Sequence, residues 1–331
     1  MVTGPGIARK RRGKGFSYLG PDGKPVDEKA LQRINDLVIP PAWKRVWISP
    51  HANGHIQAVG TDIAGRKQYL YHQAWQEERA EEKFDRVLEL SRKLPEWRKQ
   101  TAADLQGRGF ERSRVLALAL HLVDRGYFRS GGDQSAEEFE HYGLSTLLCE
   151  HVTVRKNSVQ FDFPAKSGVR RTLEIDDPEI VTAVRSLRRR KCESTRFLVH
   201  RKGDQWTEVH AADLNARFKE MVGEEYTVKD LRTWHGTVLA AEAFVDADPP
   251  VEPKVVKRVV SHVMKEVSEA LGNTPAVAKS SYVDPRVVKA YEQNLTIAAA
   301  KTKADKKRDP RDSQAILEKA TRTLIRRVAD K

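Results

Sequence analysis

The side chains this chain offers for chemistry are arginine, lysine and tyrosine rather than metal ligands or nucleotide loops. Gly13-Lys14 and Gly23-Lys24 lack the upstream glycine and the following Ser/Thr of a phosphate-cradling loop. There is no His-Glu-x-x-His, and Cys149 and Cys192 lie 43 positions apart, far from any zinc spacing. Asp246 and Asp248 border Pro249-Pro250 and read as turn residues. An enzyme so equipped that acts on phosphodiesters is expected to need no metal, no ATP and no other cofactor. Attack at phosphorus builds charge on the non-bridging oxygens, which fixed guanidinium groups stabilise in place of a metal clamp. A tyrosine can hold the phosphoryl group as a diester that conserves the bond energy for resealing, and the departing 5′-oxygen needs an acid.

The charge balance points to a polyanionic partner. Among 331 residues, 59 Lys+Arg face 46 Asp+Glu, a net charge of +13 and a pI near 9.6; nucleic acid is the leading candidate for such a field. The bases cluster at Arg9 to Arg12 with Lys14, at Arg185 with Arg188 to Lys191, and at Lys306, Lys307, Arg308 and Arg311. Any one such run reads first as a solvated face. An apolar content of 39% supports a buried core. The longest apolar run, residues 115–123, contains His121 and falls far short of a membrane span of about 20 residues. From the basic start without an apolar segment no secretory signal is expected, and two cysteines cannot supply a disulfide framework. A cytoplasmic, nucleoid-associated protein with no membrane partner is expected.

Those chemistry-bearing side chains must be positioned by an α+β chain of four parts. Residues 1–15 read as a basic flexible arm broken by Gly4, Pro5, Gly6 and Gly13. Residues 16–85 read as a β-rich N-terminal domain, with strands at 16–19, 45–49, 55–60 and 67–72 and one helix at 28–37. A long helix at 73–94 crosses into residues 86–299, which read as a mainly helical domain with further helices at 112–125, 178–189, 211–221, 228–245 and 254–271. Two turn signals, Lys156-Asn157-Ser158 and 165–168, split residues 151–175 into a three-stranded antiparallel sheet. Residues 300–331 read as a linker to about Pro310 and a last helix marked by Leu317, Ala320, Leu324 and Val328.

Five segments, in order, carry a resemblance. Gly65-Arg66-Lys67-Gln68-Tyr69-Leu70-Tyr71, Arg129-Ser130-Gly131 followed by Tyr142-Gly143-Leu144-Ser145-Thr146-Leu147, Phe163-Pro164-Ala165-Lys166-Ser167-Gly168, Lys229-Asp230-Leu231-Arg232-Thr233 and Gly272-Asn273-Thr274-Pro275 through Tyr282 stand along residues 10 to 295. Together they resemble the compact viral and bacterial type IB DNA topoisomerases. The resemblance implies a two-domain monomer that clamps duplex DNA, cleaves one strand through a 3′-phosphotyrosyl link, lets the free end rotate and reseals it.

It also assigns roles residue by residue. Arg129 and Arg232 become the clamps on the scissile phosphate, Lys166 the acid for the 5′-oxygen, Asn273 the transition-state donor where many relatives carry histidine, and Tyr282 the nucleophile. Arg66, Gln68, Tyr69, Tyr71, Arg79 and Lys229 fall on DNA-contact positions. By local pattern alone these residues read more plainly. The stripe Val228, Leu231, Trp234 and Val238 leaves Arg232 on another face, where an arginine is ordinarily solvated. Lys166 is a turn lysine, and Tyr282, two residues before the Asp284-Pro285 helix start, sits in a loop or short turn. Gln68 alternates to one face of its strand, Tyr69 and Tyr71 to the other. Glycines after Arg129 allow a tight backbone approach that could turn its guanidinium inward. Two alternatives stand beside the topoisomerase. A tyrosine recombinase shares the chemistry but ordinarily has histidine three residues before the second arginine, where this chain has Lys229; an architectural DNA binder would need none of the five catalytic residues.

Overall fold

A computed structural model describes residues 4–329, which divide between Phe84 and Asp85 into two compact units. In the first, five antiparallel strands pair in the order β2-β1-β3-β4-β5: β1 Ile7–Arg12, β2 Gly15–Leu19, β3 Lys44–Ile48, β4 Ile56–Thr61 and β5 Lys67–Tyr71. Helix α1 (Glu28–Asp36) starts where Asp27 accepts from the Ala30 N–H at 2.7 Å. Ile34 from this helix packs with Ile7, Val46, Ile48 and Ala58 from the sheet.

The expected flexible arm is largely a strand. Residues 1–3 of it lie outside the described residues, but Ile7–Arg12 pairs with both β2 and β3. Alternation explains how so basic a segment is held. Ile7 turns into the core, and Arg9 lies over the Phe16 ring at 4.2 Å while its guanidinium donates to the carbonyls of Ile39, Pro40 and Trp43. Arg9 is therefore a structural arginine, withdrawn from the basic cluster read in the sequence.

In the second unit the long helix α2 (Gln73–Leu105), which begins before the division, runs on through Pro95, beyond the expected end. Buried Leu90, Leu94 and Trp97 hold it on both sides of the proline. Helix α3 (Arg112–Gly126) is apolar nearly all round and fills the core. Strands β6 (Val152–Val154), β7 (Val159–Pro164) and β8 (Arg170–Ile175) form the three-stranded antiparallel sheet. A further hairpin, β9 (Val199–Lys202) with β10 (Gln205–Glu208), lies where four-residue strands left too little periodicity to read.

Helices α4 (Asp133–Phe139), α5 (Pro178–Arg188), α6 (Ala211–Val222), α7 (Val228–Ala243) and α8 (Pro253–Leu271) follow the chain order, with α9 (Pro285–Glu292), α10 (Ala298–Ala304) and α11 (Pro310–Ala329) closing it. Half of the expected 300–310 linker is thus helical, because Ala304 packs into the core at the end of α10. Leu317, Leu324, Ile325 and Val328 fix α11 on the core. Among the described residues no helix is long and apolar enough to cross a membrane.

Candidate active site

Helix α7 organises the second unit's polar centre. Asp230 accepts from both the N–H and the hydroxyl of Thr227 at 2.9 Å and pairs with Arg86 at 2.8 Å, fixing the first turn. One turn along the helix Arg232 is 2% exposed, contrary to the solvated face read from the pattern. Its burial is sustained by two carbonyls, Tyr127 at the end of α3 and Leu271 at the end of α8, the latter at 2.8 Å. Helix C-terminal carbonyls lack intrahelical donors, so a guanidinium set between two such ends satisfies both.

Tyr282 ends a π-helical turn, Ala278–Tyr282, so of the loop or short turn expected there the structure has the short turn. Its backbone is pinned to α7: the Thr237 hydroxyl donates to the Tyr282 carbonyl at 3.4 Å and accepts from the Asp284 N–H at 3.1 Å. The approach is so close that a Cβ on Gly236 would stand 2.6 Å from the Tyr282 carbonyl oxygen. Thus the ring, 9% exposed, has the Arg232 guanidinium 5.4 Å from its centroid.

Arg129 follows α3 on a segment held by two backbone bonds, Leu144 N–H to the Arg129 carbonyl and Ser145 N–H to that of Ser130, both 2.8 Å. Gly131 and Gly143 pass so closely that a Cβ on Gly143 would stand 2.4 Å from Gly131 Cα, the tight approach expected there. The guanidinium donates to the Gly272 carbonyl at 2.7 Å and to Asn273 Oδ1. Arginine has only donors, so this bond fixes the amide with its oxygen toward Arg129. Asn273 Nδ2 is buried and has no acceptor.

A third arginine belongs to this centre and was not singled out from the sequence. Arg171 on β8 donates to the carbonyls of Gly126 and Ala270, at 2.8 and 3.1 Å. The signal was present: on β8, Arg171 alternates inward with Leu173 and Ile175 and pairs in register with buried Phe163. Burial, and then repulsion from Arg129, push the Arg171 guanidinium down to about 10. Burial likewise pushes Arg232 to about 10, with Arg129 and Arg171 adding to it and Tyr282 opposing. Arg129 is lowered mainly by burial. None of the three pairs with a carboxylate among the described residues, and the Nε donors of Arg171 and Arg232 are buried without acceptors. Arg232 is buried and the other two half-buried, and cations withdrawn from water are normally paired. An unneutralised trio with spare donors is a site built for an anion.

Lys166 occupies the β7–β8 turn, exposed, and makes no ion pair among the described residues. It lines a cavity of about 320 Å³ with Arg129, Ser135 and His141. The structure therefore gathers Arg129, Arg232, Asn273 and Tyr282 and sets Lys166 beside Arg129. Lys229 is exposed on the first turn of α7.

In the first unit, Arg66 and Gln68 share one acceptor: each donates to Asp62 Oδ2 at 2.9 Å. Tyr69 and Tyr71 stack with centroids 6.1 Å apart, Tyr71 stacks on Trp75 at 4.7 Å, and Arg79 covers Trp75 at 5.1 Å. Tyr69 is 42% exposed. The alternation expected for β5 holds, and it presents an aromatic ladder ending in a cation.

Cations grouped around a tyrosine on a helical scaffold, preceded in the chain by a small antiparallel sheet, form a site for a phosphate-bearing partner. The chain matches the family model described as "Eukaryotic DNA topoisomerase I, catalytic core" over residues 72–309 and "Bacterial DNA topoisomerase IB, N-terminal domain" over residues 15–62. It is 31% identical over 298 residues to DNA topoisomerase 1B of Acanthamoeba polyphaga mimivirus, covering 87% of this chain and 88% of that relative. It is 28% identical over 203 residues to DNA topoisomerase 1 of Daucus carota, covering 58% of this chain and 25% of the relative's length. The Drosophila melanogaster DNA topoisomerase 1 is 24% identical over 209 residues, 59% of this chain and 19% of the relative. The chain belongs to the type IB DNA topoisomerases. DNA is thus its partner, and the recombinase and architectural alternatives fall away.

Proposed function

We propose that the chain relaxes supercoiled DNA through Tyr282. The tyrosine hydroxyl gives up its proton to water as its oxygen attacks a backbone phosphorus, the P–O5′ bond breaks, and the strand is held as a 3′-phosphotyrosyl diester. Arg129, Arg232 and the Nδ2 of Asn273 donate to the non-bridging oxygens as charge builds on them, and Lys166 gives its proton to the leaving 5′-oxygen. The freed end rotates, then its 5′-hydroxyl reverses the steps and reseals the strand. Arg171 adds to the field and positions the carbonyl ends of α3 and α8, from which Arg129 and Asn273 follow directly. The observation that carries this reading is the buried Arg232 guanidinium over the Tyr282 ring, grouped with half-buried Arg129 and Arg171, all three without a carboxylate partner among the described residues.

Arg66, Gln68, Tyr69, Tyr71 and Arg79 would contact DNA from the first unit and Lys229 from the second, so that one monomer grips one duplex. Gln68 is the base-edge reader, and the nucleoid is the place of work. The test is supercoiled plasmid in EDTA without ATP. Progressive relaxation is expected, with an end-labelled strand trapped on Tyr282 when the reaction is denatured. Tyr282→Phe should bind DNA normally and form no adduct. Strict dependence on magnesium or nucleotide, or an adduct on Tyr226 or Tyr291, would falsify the reading.

A further inference from the structure

Away from this site, the two cysteines meet across one guanidinium. Arg190 Nη2 donates to Cys149 Sγ and Arg190 Nε donates to Cys192 Sγ, each at 3.3 Å. Nε–H and one Nη2–H share the edge of the guanidinium that grips a carboxylate side-on. The two sulfurs therefore sit side by side where the two carboxylate oxygens would be. Carbonyls hold the rest of the group, Leu187 from Nη1 at 2.7 Å and Arg196 from Nη2, and among the described residues no carboxylate pairs with Arg190. Both thiols are free and half-buried, reachable by a small oxidant. Cys149 is fixed by its N–H donating to the Thr195 carbonyl at 2.8 Å. Cys192 lies in the irregular segment between α5 and β9, where no ladder prevents the small adjustment that disulfide geometry requires.

We propose that Cys149 and Cys192 form a reversible intramolecular disulfide on exposure to a peroxide. One cysteine sulfur attacks a peroxide oxygen; the O–O bond breaks, an S–OH group forms, and water leaves carrying the thiol proton. The second sulfur attacks the first, the S–O bond breaks, and the departing hydroxide takes the second thiol's proton to give another water. Two thiols lose two hydrogens and one hydrogen peroxide becomes two waters. A small dithiol reverses the step and is itself oxidised. The cross-link would fasten the 189–198 segment to residues 144–151, whose first residues hold the Arg129 and Ser130 carbonyls.

The test treats the reduced full chain with stoichiometric hydrogen peroxide, alkylates the remaining thiols and maps peptides by mass. A Cys149–Cys192 linked peptide two hydrogens lighter than its reduced parts is expected, lost again on dithiothreitol. Cys149→Ser and Cys192→Ser should each abolish the linked peptide while plasmid relaxation by the reduced variants stays at the wild-type rate. Arg190→Gln should slow linkage severalfold, with Arg190→Lys as the check should the glutamine variant fold poorly. Two thiols still open to alkylation, oxygen added to single cysteines without linkage, or a disulfide between two copies on a non-reducing gel would each overturn the proposal.

Discussion

The Arg232 guanidinium lies 5.4 Å from the centre of the Tyr282 ring, and both residues are fixed by the same helix. Arg232 is one of its residues; the Tyr282 backbone rests on Gly236 and Thr237 one turn further along it. Cation and nucleophile are thus preorganised together rather than assembled from separate loops. Preorganisation matters because donors already aimed at the developing charge need no rearrangement during the reaction.

Arg232→Lys keeps the charge and removes the fork that spans the Tyr127 and Leu271 carbonyls. Single-turnover cleavage should fall by roughly 10²- to 10³-fold, the scale of losing one transition-state donor. Non-covalent DNA affinity, measured by filter binding, should change little. A lysine variant that cleaves at the wild-type rate would show that only net charge is needed at this position.

Asn273 is oriented by Arg129, which leaves Nδ2 as the donor toward the phosphate. Asn273→Ala should slow cleavage by roughly 10²-fold. Asn273→Asp is the sharper variant: it accepts from Arg129 as before but replaces the donor by an anion, and should be slower still. Equal rates for alanine and aspartate would count against the donor role.

Arg171 separates catalysis from stability. Burial and repulsion from Arg129 lower the Arg171 guanidinium, so its charge costs the fold stability that an apolar side chain of similar length would not. Arg171→Met should therefore hold or raise the melting temperature. Cleavage should drop roughly 10- to 100-fold as the Gly126 and Ala270 carbonyl ends lose their shared donor and the following residues shift. Loss of stability and rate together would reduce Arg171 to a core strut.

How much of this was legible in the sequence depends on the residue. The Arg129, Lys166, Arg232 and Tyr282 segments were recognisable because motif spacing survives without knowledge of packing. The burial of Arg232 was not, since helical periodicity assigns it to a polar face and cannot show that two other helices end against that face. Arg171 was hidden for a related reason: strand alternation placed it inward, but its justification lies in carbonyls far away in the chain. Ile7–Arg12 passed as an arm because four charged residues in a row mask a period-two pattern that Arg9 obeys only through its bonds to Ile39, Pro40 and Trp43.

DNA binding by the first unit should be strongly salt-dependent. Arg66 is already tethered to Asp62, yet its side chain is 73% exposed and available to phosphate. Arg66→Ala should reduce the slope of log affinity against log salt by about 1, one phosphate contact. Gln68→Ala should leave the slope unchanged and alter preference among cleavage sites. Identical slopes for both variants and wild type would remove Arg66 from the phosphate contacts.

The last prediction concerns Asp124, which joins the catalytic helix to the C-terminal one. Its carboxylate lies 2.8 Å from Arg98 and 3.0 Å from His235 on α7, and Arg98 in turn reaches Glu318 on α11 at 2.7 Å. Burial alone would raise the Asp124 carboxyl; Arg98 first, and then His235, outweigh it and hold the group well below the usual carboxylate range. In the unfolded chain an aspartate titrates near 3.9. The folded form therefore takes up its proton only at lower pH than the unfolded form. Its stabilisation is complete above about pH 4 and drains away as the pH falls from there toward the folded value. Asp124→Asn keeps the shape and removes the charge, leaving Arg98 to Glu318 alone and His235 without an anion. A loss of about 3 kcal/mol is expected at pH 7, the lower end for a broken buried pair because Glu318 remains. Urea titrations between pH 7 and pH 2.5 should show a constant deficit down to about pH 4 and a narrowing one below it. Relaxation at pH 7 should also slow, because His235 and Arg232 ride on the same helix. A deficit that stays constant across the whole range would mean that the Asp124 charge is not what ties these two helices together.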